Sequence, residues 1–374
     1  MSLHRRGRTR TGFLRAGTMA NKNKKVLVGM SGGVDSSVTA LVLKRDGYDV
    51  IGITMQFLSE RFLTEAAGTA HYGDAASVAR KLGIPHETVD LSRQFQETII
   101  DDFCNEYLNG RTPNPCVRCN RLMKFSFLLK KMKELGAGYI ATGHYARVAR
   151  DDESCRWYIK KAADRKKDQS YFLYMLTQDI LKHATFPLGE FTKDEVRRIA
   201  KESRLSVHRK DESQEICFIE GKDYRPLLKG CSKPGPIVDS EGNVLGTHTG
   251  IADYTLGQRK GLGISVGKPL YVVEMDTKKN TIVVGEKSEA YQNELVCGDV
   301  KWISPPPSGP LKTTTKIRSL HRGAEATLYP IGDGRVMLRF SELQWAITPG
   351  QSAVFYDADT VLGGGTIESS SRSG

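Results

Sequence analysis

Three cysteines stand where thiol chemistry is possible. Cys116 and Cys119 are separated by two residues in "TPNPCVRCNRLMKF", and Cys217 lies in "KDESQEICFI" beside Arg209 and Lys210, which favour a thiolate. A structural zinc site usually needs four ligands, and no second CxxC or HxxxH accompanies the pair. The chain has seven cysteines at irregular spacing, which argues against a disulfide framework. Metal binding, redox chemistry, sulfur handling and packing remain as roles for the pair.

A glycine-rich loop predicts a phosphate site. In "VLVGMSGGVDSS" an apolar run leads to Ser31-Gly32-Gly33, and a helix is expected to begin near Asp35. Glycines let backbone amides approach an anion closely, and a helix N-terminus adds partial positive charge. The lysine of a Walker A loop is missing. The alternative is an ordinary glycine turn before a helix.

The surrounding pattern predicts the elements that position these residues. Apolar strands alternate with helices over residues 24–218, which predicts an α/β domain with a doubly wound parallel sheet. Short β-type runs bounded by Gly, Pro, Asn and Asp then predict a small β-rich central domain over 219–292 and a C-terminal β-barrel over 293–367. Residues 1–23 are basic, poor in apolar residues and expected to be a disordered tail.

Charge and hydropathy bear on the partners and the cellular compartment of the protein. The net charge is +12, but residues 1–25 carry eight of these positive charges and no acidic residue, so overall charge is weak evidence for a nucleic-acid partner. No apolar run approaches the roughly 18–20 residues of a membrane span, and no signal segment is present. We therefore expect a cytoplasmic protein without a membrane partner. The alternative is an organelle, if the Arg-rich tail is a presequence.

Six sequence blocks carry a family resemblance. They are "GMSGGVDSS", "TPNPCVRCN", "YIATGHYAR", "KDQSYFLYML", "KDESQEICFI" and "YTLGQRKGLG". In this order they resemble the bacterial and organellar tRNA 2-thiouridylases, which are PP-loop ATP pyrophosphatases. The resemblance implies a sulfurtransferase that thiolates C2 of the wobble uridine (U34) in tRNA and converts ATP to AMP and diphosphate. It also implies Mg²⁺ with the ATP and a sulfur donor, such as a cysteine desulfurase or a sulfur-relay protein.

The resemblance assigns roles to individual residues. Cys119 matches the family's catalytic cysteine, and Cys217 matches the cysteine that carries a persulfide. ATP binding is assigned to Gly29, Met30, Ser31, Gly32, Gly33, Val34, Asp35, Ser36, Met55 and Gly143. Contacts with tRNA are assigned to Asn114, Pro115 and Cys116 at the target base, and to Lys167, Asp168, Gln169, Arg318 and Ser319 elsewhere.

The resemblance also implies a mechanism with one departure. Adenylation of the C2 oxygen makes a good leaving group, persulfide sulfur replaces it, and a Cys119–Cys217 disulfide remains. Many relatives have aspartate where this chain has Cys116, so Cys116 is either a substitute acid/base or, with Cys119 and Cys217, a ligand of a 4Fe–4S cluster. Other hypotheses are a different PP-loop ligase and a non-catalytic RNA-binding protein.

Overall fold

The computed structural model describes residues 24–59, 72–209, 216–219, 223–228 and 233–372. The expected disordered tail at 1–23 lies outside these residues. Within them, no helix is long and apolar enough to cross a lipid bilayer.

The first part of the chain builds a parallel sheet. Its strands, in chain order, are β1 (Lys25–Gly29), β2 (Asp49–Gln56), β3 (His86–Asp90), β4 (Tyr139–Ala141), β5 (Ala146–Arg150), β6 (Trp157–Lys161) and β7 (Ala184–Thr185). Five of them form a sheet in the order β3-β2-β1-β4-β7, with every pair parallel. Val26, Leu27 and Val28 of β1 are fully buried, as expected for a central strand with helices on both faces.

Helices connect these strands. They are α1 (Val34–Arg45), α2 (Tyr72–Leu82), α3 (Ser92–Phe95), α4 (Asp101–Leu108), α5 (Pro115–Arg118), α6 (Phe125–Glu134), α7 (Gln178–His183) and α8 (Lys193–Glu202). Two π-helical segments, Gln96–Ile100 and Cys119–Lys124, join α3 to α4 and α5 to α6. Short 3-10 helices are Ser170–Leu173, Pro187–Glu190, Ser206–Arg209, Arg225–Leu228, Ile251–Asp253 and Lys287–Ala290. The predicted doubly wound α/β architecture is confirmed.

The β5–β6 hairpin departs from the simple alternation. It is antiparallel and does not join the parallel sheet. Instead Lys160 of β6 pairs with Thr360 in the last strand of the chain. The hairpin therefore links the parallel-sheet domain to the C-terminal barrel through a long-range pairing that local sequence pattern does not encode.

The later parts of the chain are built from strands. The central sheet contains β8 (Gly235–Val238), β9 (Val244–His248), β10 (Tyr271–Asp276) and β11 (Thr281–Gly285) in the order β10-β11-β8-β9. The barrel contains β12 (Tyr291–Trp302), β13 (Leu311–Lys316), β14 (Ala324–Gly332), β15 (Arg335–Trp345), β16 (Ser352–Asp357) and β17 (Thr360–Ser371). Its order is β12-β15-β14-β13-β16-β17, and pairing of β17 with β12 closes it. The predicted C-terminal β-barrel is confirmed.

Glycines allow the barrel to close. A Cβ on Gly363 would lie 2.5 Å from the Lys301 carbonyl oxygen, and one on Gly364 would lie 2.7 Å from the Tyr174 ring. Only glycine permits this approach between strands and between the barrel and the preceding domain. Strand β17 continues to Ser371, so ordered structure extends past position 367.

Candidate functional site

The glycine-rich loop at Ser31–Gly33 lies where the order of strands in the parallel sheet reverses. Because β1 is flanked by β2 and β4, the carboxyl ends of β1 and β4 border the topological switch point, where such sheets bind ligands. The loop leaves β1 through Gly32, whose φ of 76° suits glycine, and enters α1 at Gly33. Gly33 offers no side-chain cap to the first turn of α1. The side chains of Ser36 and Ser37 bond back to the Gly33 carbonyl.

The other expected ATP residues meet this loop. A Cβ on Gly143, which follows β4, would lie 2.8 Å from the Ser36 amide nitrogen. The Met55 side chain at the end of β2 lies 3.4 Å from the position of a Cβ on Gly29. The fold thus gathers Gly29 to Ser36, Met55 and Gly143 at the carboxyl ends of β1, β2 and β4, where no side chain caps the first turn of α1.

Asp35 is held by two residues that the sequence analysis missed. The Lys193 ammonium lies 2.8 Å from both Asp35 carboxylate oxygens, and the Tyr145 hydroxyl donates to one of them at 2.8 Å. Lys193 is buried and occupies the first position of α8. A cation there opposes the helix dipole, which is the one sequence signal that marks Lys193 as unusual.

The CxxC segment lies on one continuous helical run. The Asn114 side chain accepts a hydrogen bond from the Val117 amide and so caps α5, and Pro115 follows at its first turn. A π-helical segment then runs from Cys119 to Lys124 and continues into α6. Such widened turns recur at functional sites because they change which side chains share a face.

Cys217 is brought to the same region by the residue after it. Phe218 is 3% exposed, and its ring meets Phe95 and Phe103 edge-on, with centroids 5.7 and 5.2 Å apart. Buried Cys119 belongs to this same apolar cluster. The ring therefore anchors the short stretch that carries Cys217, while Cys217 itself is exposed.

The three thiols influence one another's ionisation. Desolvation raises the pKa of Cys119 to about 12, while the nearby Lys124 ammonium lowers it and the charge of Cys217 raises it further. Although Cys217 is exposed, protein atoms crowd its thiol and desolvation raises its pKa to about 11, again against the effect of Lys124. Burial also raises the pKa of Cys116. As free residues, all three thiols are held protonated near neutral pH.

The cysteine region adjoins the loop that follows β4. Phe125, directly after Lys124, packs with its ring centroid 5.8 Å from that of His144, the neighbour of Gly143. Burial lowers the pKa of His144 to about 3, with a further contribution from Lys124. His144 also shares a 2.8 Å hydrogen bond with the Thr142 hydroxyl. The helical run that carries Cys116 and Cys119 is therefore in contact with the loop after β4 through Phe125.

The thiols are not linked, and they do not form a metal-binding group. Cys116, Cys119 and Cys217 are free cysteines, so the expected Cys119–Cys217 disulfide is not present in this structure. In the described part of the chain, no three His, Cys, Asp or Glu side chains converge on a point that suits a metal ion. As placed here, the three cysteines do not fit a 4Fe–4S cluster.

The segment expected to contact tRNA is tied into the domain. The Asp168 carboxylate accepts from the Ala162 amide and from the amide and hydroxyl of Ser170. The Gln169 side chain accepts a hydrogen bond at 2.9 Å from the amide of Tyr145, which lies in the loop after β4. Lys167 lies beside them, half-buried. These hydrogen bonds hold the segment against Tyr145, whose hydroxyl contacts Asp35.

The barrel contacts the TPNP loop. The Thr112 amide donates to the Pro349 carbonyl at 2.8 Å, and the Gln351 side chain donates to the Thr112 carbonyl at 2.9 Å. The expected tRNA residues of the barrel, Arg318 and Ser319, lie on a separate turn, where Arg318 donates to the Trp345 carbonyl. The barrel thus braces the loop before Cys116.

Lysine 124 is the third residue that the sequence analysis missed. Lys210, expected to favour a thiolate at Cys217, lies outside the described residues, and Arg209 is described only in its backbone. The charge that acts on all three thiols is that of Lys124. In the sequence Lys124 follows Cys119 by five residues. This spacing brings the two residues to the same side of the helix only where the turn is π-helical.

Three family models match the chain in succession. They are described as a tRNA methyl transferase HUP domain over residues 24–221, a tRNA methyl transferase PRC-barrel domain over 229–286, and an aminomethyltransferase beta-barrel domain over 292–367.

Three relatives match this chain over nearly its whole length. The tRNA-specific 2-thiouridylase MnmA 1 of Caldanaerobacter subterraneus is 50% identical over 361 residues, covering 94% of this chain and 99% of the relative. The tRNA-specific 2-thiouridylase MnmA of Clostridioides difficile is 46% identical over 357 residues, covering 93% and 99%. That of Acetivibrio thermocellus is 48% identical over 356 residues, covering 92% and 99%. The chain therefore belongs to the tRNA-specific 2-thiouridylase family.

Proposed function

We propose that this protein uses ATP to replace the C2 oxygen of the wobble uridine of tRNA by sulfur. The observation that carries the proposal is the meeting of two sites around one helix. The helical run from Pro115 to Lys124 carries the Cys116 and Cys119 thiols, and Phe125, the next residue, packs against His144 in the loop after β4. Adenylation and sulfur transfer require these two chemistries side by side.

The first step activates the base. The uridine C2 oxygen attacks the α-phosphorus of ATP, the bond to the β-phosphate oxygen breaks, and diphosphate leaves. The uncapped first turn of α1 and the Gly32-Gly33 loop suit the phosphates. Gly143 keeps the loop after β4 close to them, and Met55 borders the same space. The base must leave its stack to enter, which costs a few kcal/mol.

The second step transfers sulfur. The terminal sulfur of a Cys217 persulfide attacks C2, and AMP leaves with the electron pair of the C–O bond. The Cys119 thiolate then attacks the inner sulfur of Cys217, which breaks the persulfide bond and leaves sulfur on the uridine. In the alternative order, Cys119 attacks first and releases hydrosulfide, which displaces AMP. Either order ends with a Cys119–Cys217 disulfide, and an external thiol reductant must supply two electrons.

Two inorganic groups were expected, and the residues fit one of them. Mg²⁺ prefers carboxylate and phosphate oxygens, and the Asp35 carboxylate lies at the phosphate loop, so Asp35 would hold the ion in exchange for part of its contact with Lys193 and Tyr145, and the ion would offset phosphate charge. A 4Fe–4S cluster does not fit the cysteines as placed. We therefore assign sulfur transfer to the persulfide, with Cys116 as a neighbouring protonated thiol that can donate a proton and, once ionised, take one back.

The partners follow from this chemistry. The substrate tRNA is proposed to contact Asn114 to Cys116, the 167–169 segment and the barrel turn at Arg318 and Ser319. Exposed Cys217 is the cysteine that a sulfur donor, such as a cysteine desulfurase or relay protein, can reach. Buried Cys119 is less accessible to a protein partner.

Mass spectrometry of tRNA nucleosides tests the proposal. After incubation with ATP, Mg²⁺ and a sulfur source, we expect wobble uridine to gain one sulfur in place of one oxygen. Cys119→Ser and Cys217→Ser should abolish the product, whereas Cys155→Ser, which removes an exposed cysteine outside the cluster, should not. Absence of 2-thiouridine with the native protein, or a methylated uridine in its place, would overturn the proposed function.

A further inference from the structure

Lys124 lies on the helical run that carries two of the three thiols, and its charge acts on all three. Lys124 ends the π-helical segment that begins at Cys119. In a π-helical turn the amide of residue i+5 bonds to the carbonyl of residue i, so residue 124 lies above residue 119 along the helix. In an ordinary α-helix, residues five apart point in different directions. The widened turn therefore places the lysine on the side of Cys119.

The surroundings of Lys124 are costly for a cation. Its side chain is half-buried, and desolvation is the largest influence that lowers its pKa. Attraction to Cys119, Cys116 and Cys217 nevertheless raises that pKa on balance. Among the described residues no carboxylate forms an ion pair with it. A partly desolvated ammonium without an ion-pair partner is destabilising, and groups kept at such cost cluster at functional sites.

We propose that Lys124 is a positioning residue for the sulfur-transfer step, whose ammonium makes Cys119 and Cys217 available as thiolates. Its role in catalysis rests on the proposed function, but its effect on the thiols does not. When either thiol loses its proton to solvent, the fixed ammonium stabilises the anion left behind. The same charge stabilises the terminal sulfur of a persulfide, or hydrosulfide, before it attacks C2.

The other titratable groups around Lys124 do not provide this charge. Cys116 becomes an anion when it ionises and so opposes ionisation of Cys119 and Cys217. His144, in the loop after β4, is close enough to feel the charge of Lys124. Its lowered pKa keeps the imidazole neutral near pH ~7. Among the titratable groups that the structure describes here, Lys124 alone favours both thiolates, and a backbone hydrogen bond of Cys217 adds to this effect at its own thiol.

Thiol alkylation tests the proposal without tRNA, ATP or turnover. Iodoacetamide reacts with the thiolate, forms a thioether and releases iodide, so its rate at each cysteine reports the fraction ionised. Rates at Cys119 and Cys217 are followed by peptide mass spectrometry across pH in the native protein and in Lys124→Met. A loss of one pKa unit of stabilisation lowers the rate about tenfold below the pKa. We expect that decrease at both cysteines, no change at exposed Cys155, and recovery in Lys124→Arg.

A second variant and a second readout separate the role of Lys124 from a folding defect and from the proposed function. If Lys124→Met does not fold, Lys124→Gln replaces it, with circular dichroism as the check. In the full reaction, the neutral variant should need higher pH for sulfur transfer, while diphosphate release keeps its KM for ATP. Equal alkylation rates in the native and neutral variants, or failure of arginine to restore them, would overturn the role of Lys124. Loss of thiolation in the native protein alone would overturn only the proposed function.

Discussion

Replacing Phe218 by alanine should separate sulfur transfer from adenylation. The Phe218 ring is 3% exposed and meets two other rings edge-on. Removing it forfeits about 2 kcal/mol of hydrophobic burial. Each edge contact adds about 0.5 kcal/mol, which gives about 3 kcal/mol in total. Because about 1.4 kcal/mol corresponds to a factor of ten, the equilibrium constant for docking the Cys217 stretch should fall about 100-fold.

The assay compares two rates in the same variant. Formation of 2-thiouridine should slow by up to that factor in Phe218→Ala and by less in Phe218→Leu, which keeps much of the apolar contact. Release of diphosphate should keep its rate, since the loop at Gly32 and Gly33 is untouched. Phe340→Ala is the matched control, because Phe340 is equally buried but lies in the barrel core. Full-rate thiolation by folded Phe218→Ala, or an equal fall in diphosphate release, would refute the reasoning.

Three further predictions concern contacts that hold the loops in place. Lys193→Met should lower the free energy of unfolding by about 2 kcal/mol in urea denaturation, since its ion pair with Asp35 is intermediate between exposed and buried pairs; an unchanged midpoint would contradict this. Gly143→Ala should weaken ATP binding at least about tenfold by calorimetry, because its Cβ would lie 2.9 Å from the Asp35 carbonyl carbon; native affinity would count against the proposed ATP site. Gln351→Leu should speed hydrogen exchange near Thr112 about fivefold by removing about 1 kcal/mol of hydrogen bonding; unchanged exchange would show that the barrel does not brace this loop.

The features that could be predicted from sequence are encoded locally. The phosphate loop depends on a buried strand, Gly32-Gly33 and a following helix, all within one short stretch, and the structure has each of them. The parallel sheet follows from alternating apolar runs. The resemblance identified the cysteines, but the sequence alone left several roles open for them.

The features that could not be predicted depend on distant contacts. Lys193 binds Asp35 across 158 positions of sequence, and no local pattern marks that pair. The β5–β6 hairpin joins a strand near the end of the chain, and β17 contains glycines that weaken any strand prediction although closure of the barrel requires them. The effect of Lys124 on the thiols depends on a π-helical turn, which sequence periodicity does not indicate.

A single-turnover experiment tests most directly whether Cys119 and Cys217 act together. The protein is loaded with persulfide sulfur at Cys217, given ATP, Mg²⁺ and tRNA without reductant, and digested for peptide mass spectrometry. We predict one Cys119–Cys217 disulfide for each 2-thiouridine formed, and no 2-thiouridine when ATP or tRNA is withheld. Thiolated tRNA that accumulates while both cysteines remain free would contradict the account.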